Sequence, residues 1–535
     1  FLPGSEMDGR PRTIADPDRR VGSRIAELAP GEMGELVVAR MDQDGGACRL
    51  THLGTVLKVD LAKPLLPGAR TTFQMDFRGQ VPVQIRRSGR DNREGISYSM
   101  TQWYPKIAAY DRRGWHADPY VGREFYGEFG DFDVHIHLDS SFTIAATGTL
   151  QDPERIGHGY APSGTVPERP TGSELDWHFL AKDVHDFAWA ADPDYVHVTA
   201  QVPGGPLLRF FHQDMPEESK AWAGLPAAMV RSFQFMNAHF GRYPYPEFTF
   251  AQGGDGGMEY PMLTLIVGRR NPVGVSVHES IHNWFYGVLA SNESSYPWMD
   301  EGFTEYASSE VMRHLNGGEG DAHAEAYQAY FMLADSSVHE PMSLHADHFA
   351  TNFGYGVTAY SKGELFLAQL RAVIGERTLE AGMLDYFASC AFKHPDPVDF
   401  ERVLEKRSGL ELDWYFDEWI NTTRSLDYAV DTLVDRGDSV EIRLTRRGGM
   451  IMPVDLEVTR TDGSKTLFNV PLSLMLGSKH EASERAPFTV LPPWQWTDPY
   501  YILTIPGRLR TIARVALDPQ ERTADRDRTN NVRIR

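Results

Sequence analysis

The sequence predicts a multidomain α+β protein, and three observations carry that prediction. Residues 36 to 203 are dominated by alternating runs punctuated by Pro and Gly. Residues 218 to 407 run mostly on helical periods with one short strand among them. After about residue 425 the period returns to two. At 535 residues the chain exceeds what one ordinary core organises. The expected division is an N-terminal β-rich domain (1–203), a mainly helical domain with a small sheet (204–425) and a small C-terminal β domain (426–535).

Residues 1 to about 35 are rich in Gly, Pro and charge and read as loop or a poorly ordered arm. Phe132 to Leu138 alternates, with Phe132, Val134, Ile136 and Leu138 on one side, and Tyr195 to Val202 behaves alike. The texture changes near Pro203–Pro206. Helices are expected over 218–240, 275–286, 301–315, 320–335, 359–374, 377–390 and 399–407, with a strand at Phe248–Ala251 and a Gly-rich turn at Gly253–Gly257. In the last region Val434–Leu444, Ile451–Thr459, Thr466–Pro471 and Tyr500–Ile505 read as strands.

Composition narrows the function. A formal net charge of −21 argues against a general nucleic-acid or anionic-membrane binder. No apolar run is long enough to span a bilayer. Cys48 and Cys390 can at most form one pair, so neither a disulfide framework nor a multi-cysteine zinc site is expected. The sequence starts at Phe1, which fits a removed leader or a missing N-terminal region, so the compartment stays open. Oligomeric state is not readable.

The chemistry concentrates in His278-Glu279-Ser280-Ile281-His282. On a helix, residues four apart share a face, so the two imidazoles can grip one metal ion. One Zn2+ suits two nitrogen ligands and a carboxylate, with a position left for water. Glu279 follows the first ligand and can act on that water as general base. The third ligand is expected from Glu301, which sits eighteen residues beyond His282 and opens a second helix after Pro297. Asp300 and Glu305 are candidates to orient a ligand imidazole.

These features resemble the M1 family of gluzincin metallopeptidases, the aminopeptidase N and leukotriene A4 hydrolase family. Four motifs carry the resemblance: His278–His282, Glu301 at its spacing, Gly256-Gly257-Met258-Glu259, and Tyr360-Ser361-Lys362-Gly363. It covers roughly residues 45 to 430 and extends into the C-terminal segment. It implies a thermolysin-like α/β catalytic domain, whereas the residues after it read as a small β-sandwich-like C-terminal domain. It implies that Glu259 binds a substrate's free α-amino group, that Gly256 and Gly257 belong to the backbone that pairs with substrate, and that Met258 lies beside them. It implies that Tyr360 stabilises the oxyanion and that Tyr355 lines the site. The family's usual Asn after the motif Glu is Tyr260 here, next to the first substrate residue's subsite. The large helical C-terminal domain of many relatives has no room, and the opening strands of the N-terminal β domain are fewer than usual.

The expected function is zinc-dependent removal of N-terminal residues from peptides bearing a free N-terminus. Its rivals are an endopeptidase, a hydrolase of a non-peptide substrate such as a lipid epoxide, and a non-catalytic binding or scaffold protein on the same fold. Other features read as structural. His135 and His137 share a strand face with structural neighbours. His339, His345 and His348 fall on a loop. Asp525, Asp527, Asn530 and Asn531 read as loop polarity. Trp103, Tyr104 and Trp115 are assigned to the β domain's core or its interface. Gly253–Gly257 lacks the Gly-Lys-Ser/Thr ending of a phosphate loop.

Overall fold

A computed structural model describes residues 2–16, 21–123, 125–162, 164–167, 172–254, 256–268, 272–480 and 487–534. Its order is a β-rich region, a mixed sheet with a helical bundle, and a second β region. Buried apolar side chains from all three join in one contiguous core, running from Ile96 through Trp284 and Phe366 to Leu517.

In the first region the long pair Gly130–Asp139 and Glu174–Val184 runs antiparallel, with His135 directly opposite His178. The alternation of Phe132–Leu138 is reproduced: Phe132, Val134, Ile136 and Leu138 face the core and the residues between them are exposed. Trp103 and Tyr104 pack on this core and hydrogen-bond to Phe187 O and Asp186. Trp115 does not join them. It lies exposed on the hairpin Ala109–Asp111/Gly114–His116, tilted against Tyr110, because a two-stranded hairpin has no second layer to bury it.

The first residues also differ from expectation. Ser5 caps a helix over Glu6–Thr13. Asp16 accepts hydrogen bonds from the backbone N–H groups of Asn352 and Phe353, both at 2.7 Å, and Arg10 donates to Phe349 O. A polar segment without periodicity is thus held by groups more than three hundred residues away.

The central sheet is mixed, in the order Tyr195–Gln201, Leu207–Gln213, Glu247–Gln252, Leu263–Ile266, Met258–Tyr260. Tyr195–Gln201 pairs with Leu207–Gln213 across the turn at 203–206, so the texture change there is a hairpin within one sheet. Met258–Tyr260 is the outer strand, paired on one side only. Against the sheet lies the helix Pro272–Phe285, buried along nearly its whole second half, as its Val277, Ile281, Trp284 and Phe285 require. Helices follow at Phe303–Leu315, Ala324–Ala334, Gly363–Ile374, Glu376–Cys390, Pro397–Ser408 and Asp413–Asn421. Cys390 is buried and unpaired, and Cys48 is free.

The last region holds a three-stranded and a five-stranded sheet. Val440, Ile442 and Leu444 alternate inward from one, Val454, Leu456 and Val458 from the other. The expected strand Val434–Leu444 is in fact the meeting of two, Tyr428–Asp435 and Ser439–Arg446, joined by a turn in which Gly437 takes φ +88°.

Candidate metal centre

The helix Pro272–Phe285 sets His278 and His282 one turn apart, and their Nε2 atoms approach to 3.0 Å. Glu301 arrives on a π turn, Trp298–Gly302, which leads directly into the helix Phe303–Leu315. The second helix therefore opens three residues before Glu301. Glu301 Oε2 stands 3.3 Å from each Nε2. Zinc holds such donors at about 2.0–2.2 Å, so donors on one face of a tetrahedron lie about 3.3–3.5 Å apart. The three atoms trace nearly that triangle.

The donors are supported from behind. His282 Nδ1 lies 2.6 Å from Asp300 Oδ1 and 3.2 Å from Thr304 Oγ1. His278 Nδ1 lies 3.5 Å from Glu305 Oε1. A carboxylate behind each imidazole fixes the ring and leaves Nε2 as the inward atom. Asp300 and Glu305 thus lie behind His282 and His278.

The charges fit a cation. Burial penalises the His278 imidazolium, yet Glu305 and Glu301 outweigh it and push the group up to about 9. Burial also opposes the Glu301 charge, but His282 and His278 hold that carboxyl well below its ordinary value. Burial raises Asp300 to about 7 against the pull of His282. Without metal, protons must offset a crowd of buried carboxylates. A dication on the triangle would take their place, because ligation requires neutral imidazoles and ionised carboxylates.

Glu279 is buried beside the triangle and burial raises it to about 8, with Glu259 and Glu301 adding repulsion against the pull of His278 and His282. It lies against the backbone of Gly257, where a Cβ would overlap its carboxylate. Glu259 is buried on the outer strand. One of its oxygens falls within 4.8 Å of donor atoms of His282, Asp300 and Glu301. Asn283 ties that strand to the metal-site helix: its Oδ1 accepts from Met262 N at 2.8 Å and its Nδ2 donates to Tyr260 O at 3.2 Å.

Tyr260 contributes differently from its neighbour. Successive residues of a strand face opposite sides. The Tyr260 ring is fully buried 6.4 Å from Phe125 in the wall toward the β-rich region, while its carbonyl holds Asn283. Met258 is buried too, its carbonyl accepting from Thr264 Oγ1.

Tyr360 sits on a second π turn, Val357–Lys362. Its hydroxyl donates to Glu301 Oε1 and its ring lies parallel to His278 at 6.0 Å. Tyr355 meets Tyr360 edge-on at 6.2 Å, and the Arg123 guanidinium lies over the Tyr355 ring at 4.1 Å. The two π turns touch backbone to backbone. A Cβ on Gly302 would lie 2.6 Å from Gly363 Cα, and one on Gly363 would lie 2.7 Å from Gly302 Cα.

His278, His282, Glu301, Glu279, Glu259, Asp300, Glu305, Tyr360 and Tyr355 thus lie in or around one site, while strand alternation turns the Met258 and Tyr260 side chains from the face that Glu259 occupies. Sequence reasoning missed Asn283, Thr304 and the Gly302–Gly363 crossing. The glycines were visible inside the Trp298–Gly302 and Tyr360–Gly363 motifs, but nothing local marked them as partners. The rings of His345 and His348 meet at a tilt, 5.1 Å apart, and His345 Nδ1 accepts from Asp347 N. Asp525 accepts from Tyr428 N and Asp527 N. No helix among the described residues is long and apolar enough to cross a membrane.

Residues 230–419 match the model of the peptidase family M1 domain. The fold resembles an M1 zinc metallopeptidase from Deinococcus radiodurans, at a TM-score of 0.55 and 19% identity over 72% of this chain and 84% of that one. It also resembles Legionella pneumophila aminopeptidase A in complex with aspartic acid, at a TM-score of 0.62 and 11% identity over 92% of this chain and 54% of that one. Among curated sequences, leucine aminopeptidase 2 of Emericella nidulans is 28% identical over 185 residues, 31% of this chain. The chain spans only 29% of that relative's length.

Proposed function

From a chain matched to peptidase family M1 and folded like M1 zinc metallopeptidases, we propose a zinc-dependent aminopeptidase that hydrolyses the N-terminal bond of peptides. In this reading the N-terminal region is a β domain, the middle a thermolysin-like catalytic domain and the end a β-sandwich-like domain. His278, His282 and Glu301 would hold one zinc ion, which when bound supplies Lewis acidity toward the scissile carbonyl and the attacking water.

Glu279, buried with one face against Gly257, takes a proton from the water as its oxygen bonds to the carbonyl carbon, and delivers it to the leaving amine as the C–N bond breaks. The Tyr360 hydroxyl, already at the ligand carboxylate, is a donor for the negative charge on the carbonyl oxygen. Tyr355, itself covered by the Arg123 guanidinium, packs against the Tyr360 ring and positions it. Gly256 and Gly257 lead into the unpaired edge of Met258–Tyr260, where an extended substrate backbone can add as a strand.

The observation that carries exopeptidase action is the buried Glu259 carboxylate beside Asp300, Glu301 and Glu279. One dication offsets only part of that charge. A substrate ammonium seated at Glu259 would gain a charge-assisted contact there that a blocked N-terminus cannot make. The test compares a free peptide amide with its N-acetyl form, in the wild type and in Glu259→Ala. Strong preference for the free amine that collapses in the variant supports the reading. Equal turnover of both forms by the wild type overturns it in favour of an endopeptidase. Glu279→Gln should keep its zinc and lose turnover, and near-normal kcat would remove Glu279 from the base role.

A further inference from the structure

A second cluster of metal-binding side chains lies in the β-rich region, outside the catalytic site. The antiparallel register of Gly130–Asp139 and Glu174–Val184 sets His135 opposite His178, His137 opposite Asp176, and Asp133 opposite Leu180. Residues two apart on a strand share a face, so Asp133, His135, His137, Asp176 and His178 all project from one side. That side is largely solvent-exposed.

The atoms converge. His178 Nε2 lies 2.7 Å and His135 Nε2 3.8 Å from Asp133 Oδ1. The two rings stack at 4.1 Å. One donor atom each from Asp133, His135 and His178 falls within 4.8 Å of the others. His135 turns its second nitrogen, Nδ1, to Asp176 Oδ1 at 3.1 Å, and His137 Nε2 lies 3.7 Å from the same oxygen. Asp176 thus stands behind His135 as an orienting carboxylate stands behind a ligand imidazole, leaving Nε2 to face inward.

The charge balance points the same way. Among the described residues, neither Asp133 nor Asp176 forms an ion pair with Lys or Arg; their ion-pair partners are imidazoles. Two carboxylates facing three imidazoles form a donor set with no fixed cation. Imidazole and carboxylate suit zinc and its late first-row neighbours, and an exposed face leaves remaining positions to water.

We propose that this face is a second divalent-metal site, with His135, His178 and Asp133 as ligands and Asp176 orienting His135. The bound ion would staple the two strands. Its occupancy is independent of the catalytic centre.

The test is zinc stoichiometry of the full chain, dialysed against zinc buffered at about 10 µM free, alongside peptidase activity. The wild type should retain two equivalents. His135→Ala/His178→Ala should retain one with peptidase activity unchanged. His278→Ala, which damages the catalytic triangle, should still hold the surface equivalent. Asp176→Asn should weaken the second equivalent about tenfold or more while keeping the ligands. Equal melting temperatures in EDTA for wild type and the double variant show that folding is intact. One equivalent in the wild type that the double variant retains, or two in the double variant, overturns the proposal.

Discussion

The contact between Gly302 and Gly363 gives the sharpest test of how the site is assembled. Gly302 has φ −69° and ψ −37°, so alanine is conformationally acceptable there and gains about 1 kcal/mol in helix propensity. Its new Cβ, however, would lie 2.6 Å from Gly363 Cα, 2.7 Å from Gly363 C and 3.0 Å from Ala359 O. Carbon atoms in contact sit at about 3.5–4.0 Å. All three neighbours are backbone, so no rotamer change relieves the clash, and the two π turns must part by about 1 Å. Overpacking of this kind costs about 1–3 kcal/mol, partly offset by the propensity gain. The net loss of stability in Gly302→Ala is therefore modest, about 0–2 kcal/mol.

The effect on turnover is much larger, because one turn carries Glu301 and the other Tyr360. A misplacement of about 1 Å at such groups costs on the order of 100-fold. Gly302→Ala should therefore lose about 100-fold in kcat/KM on an aminoacyl fluorogenic amide while its melting temperature falls only a few degrees. Gly356→Ala is the control. It lies just before the second turn with φ −58° and ψ −47°, and nothing stands within 4 Å of its Cβ position. It should be as active as wild type. If Gly302→Ala keeps kcat/KM within about threefold of wild type, the crossing does not set the Glu301–Tyr360 geometry and the reasoning fails.

Asp300→Asn removes the negative charge 2.6 Å behind His282. Zinc affinity in a competitive chelator titration should fall about 10–100-fold, and a change under twofold would deny Asp300 its supporting role. Asn283→Ala leaves the buried Met262 N–H without its acceptor, at a cost of about 1–3 kcal/mol in denaturant melts, and frees the Glu259 strand from the metal-site helix. KM for peptides with a free N-terminus should rise more than KM for acetylated ones; equal rises would separate Asn283 from the amine subsite. Lys362 is fully buried, its Nζ donating to Thr422 O at 3.1 Å, and burial lowers it to about 7. Below that value the folded protein carries the full penalty of a buried ammonium. Between about 7 and the ordinary lysine value the unfolded chain holds more protons, so wild-type stability rises with pH. Lys362→Met should therefore be more stable than wild type at pH 6, with the gap narrowing by on the order of 1 kcal/mol per pH unit above 7; a gap independent of pH would place the ammonium in contact with water.

Local pattern in the sequence was enough wherever one element sets a residue's role. His278, Glu279 and His282 need only a helix, and that helix is announced by the apolar spacing of Val277, Ile281, Trp284 and Phe285. Period two likewise located Gly130–Asp139 and Tyr195–Gln201. The same rule, applied to Met258-Glu259-Tyr260, separates Tyr260 from the face that Glu259 occupies. Turn chemistry was the weaker signal: Arg436-Gly437-Asp438 breaks the run from Val434 to Leu444, although apolar alternation on either side makes it look continuous.

What the pattern does not contain is the contact between elements, and the catalytic geometry rests on such contacts. Glu301 and Tyr360 are 59 residues apart and meet because two glycines allow backbones to touch. Glu259 keeps its position because Asn283 bonds a strand to a helix. The helical stretch before Tyr360 begins at Asn352, whose N–H is satisfied by Asp16 across a sequence separation of 336. None of Gly302, Asn283 or Asp16 touches a substrate in the proposed reaction, and each has an unremarkable local signature. A substitution at such a residue alters position rather than chemistry. It should therefore leave the pH dependence of turnover unchanged while lowering its magnitude, whereas changes at Glu279 or Tyr360 should alter the chemical step itself.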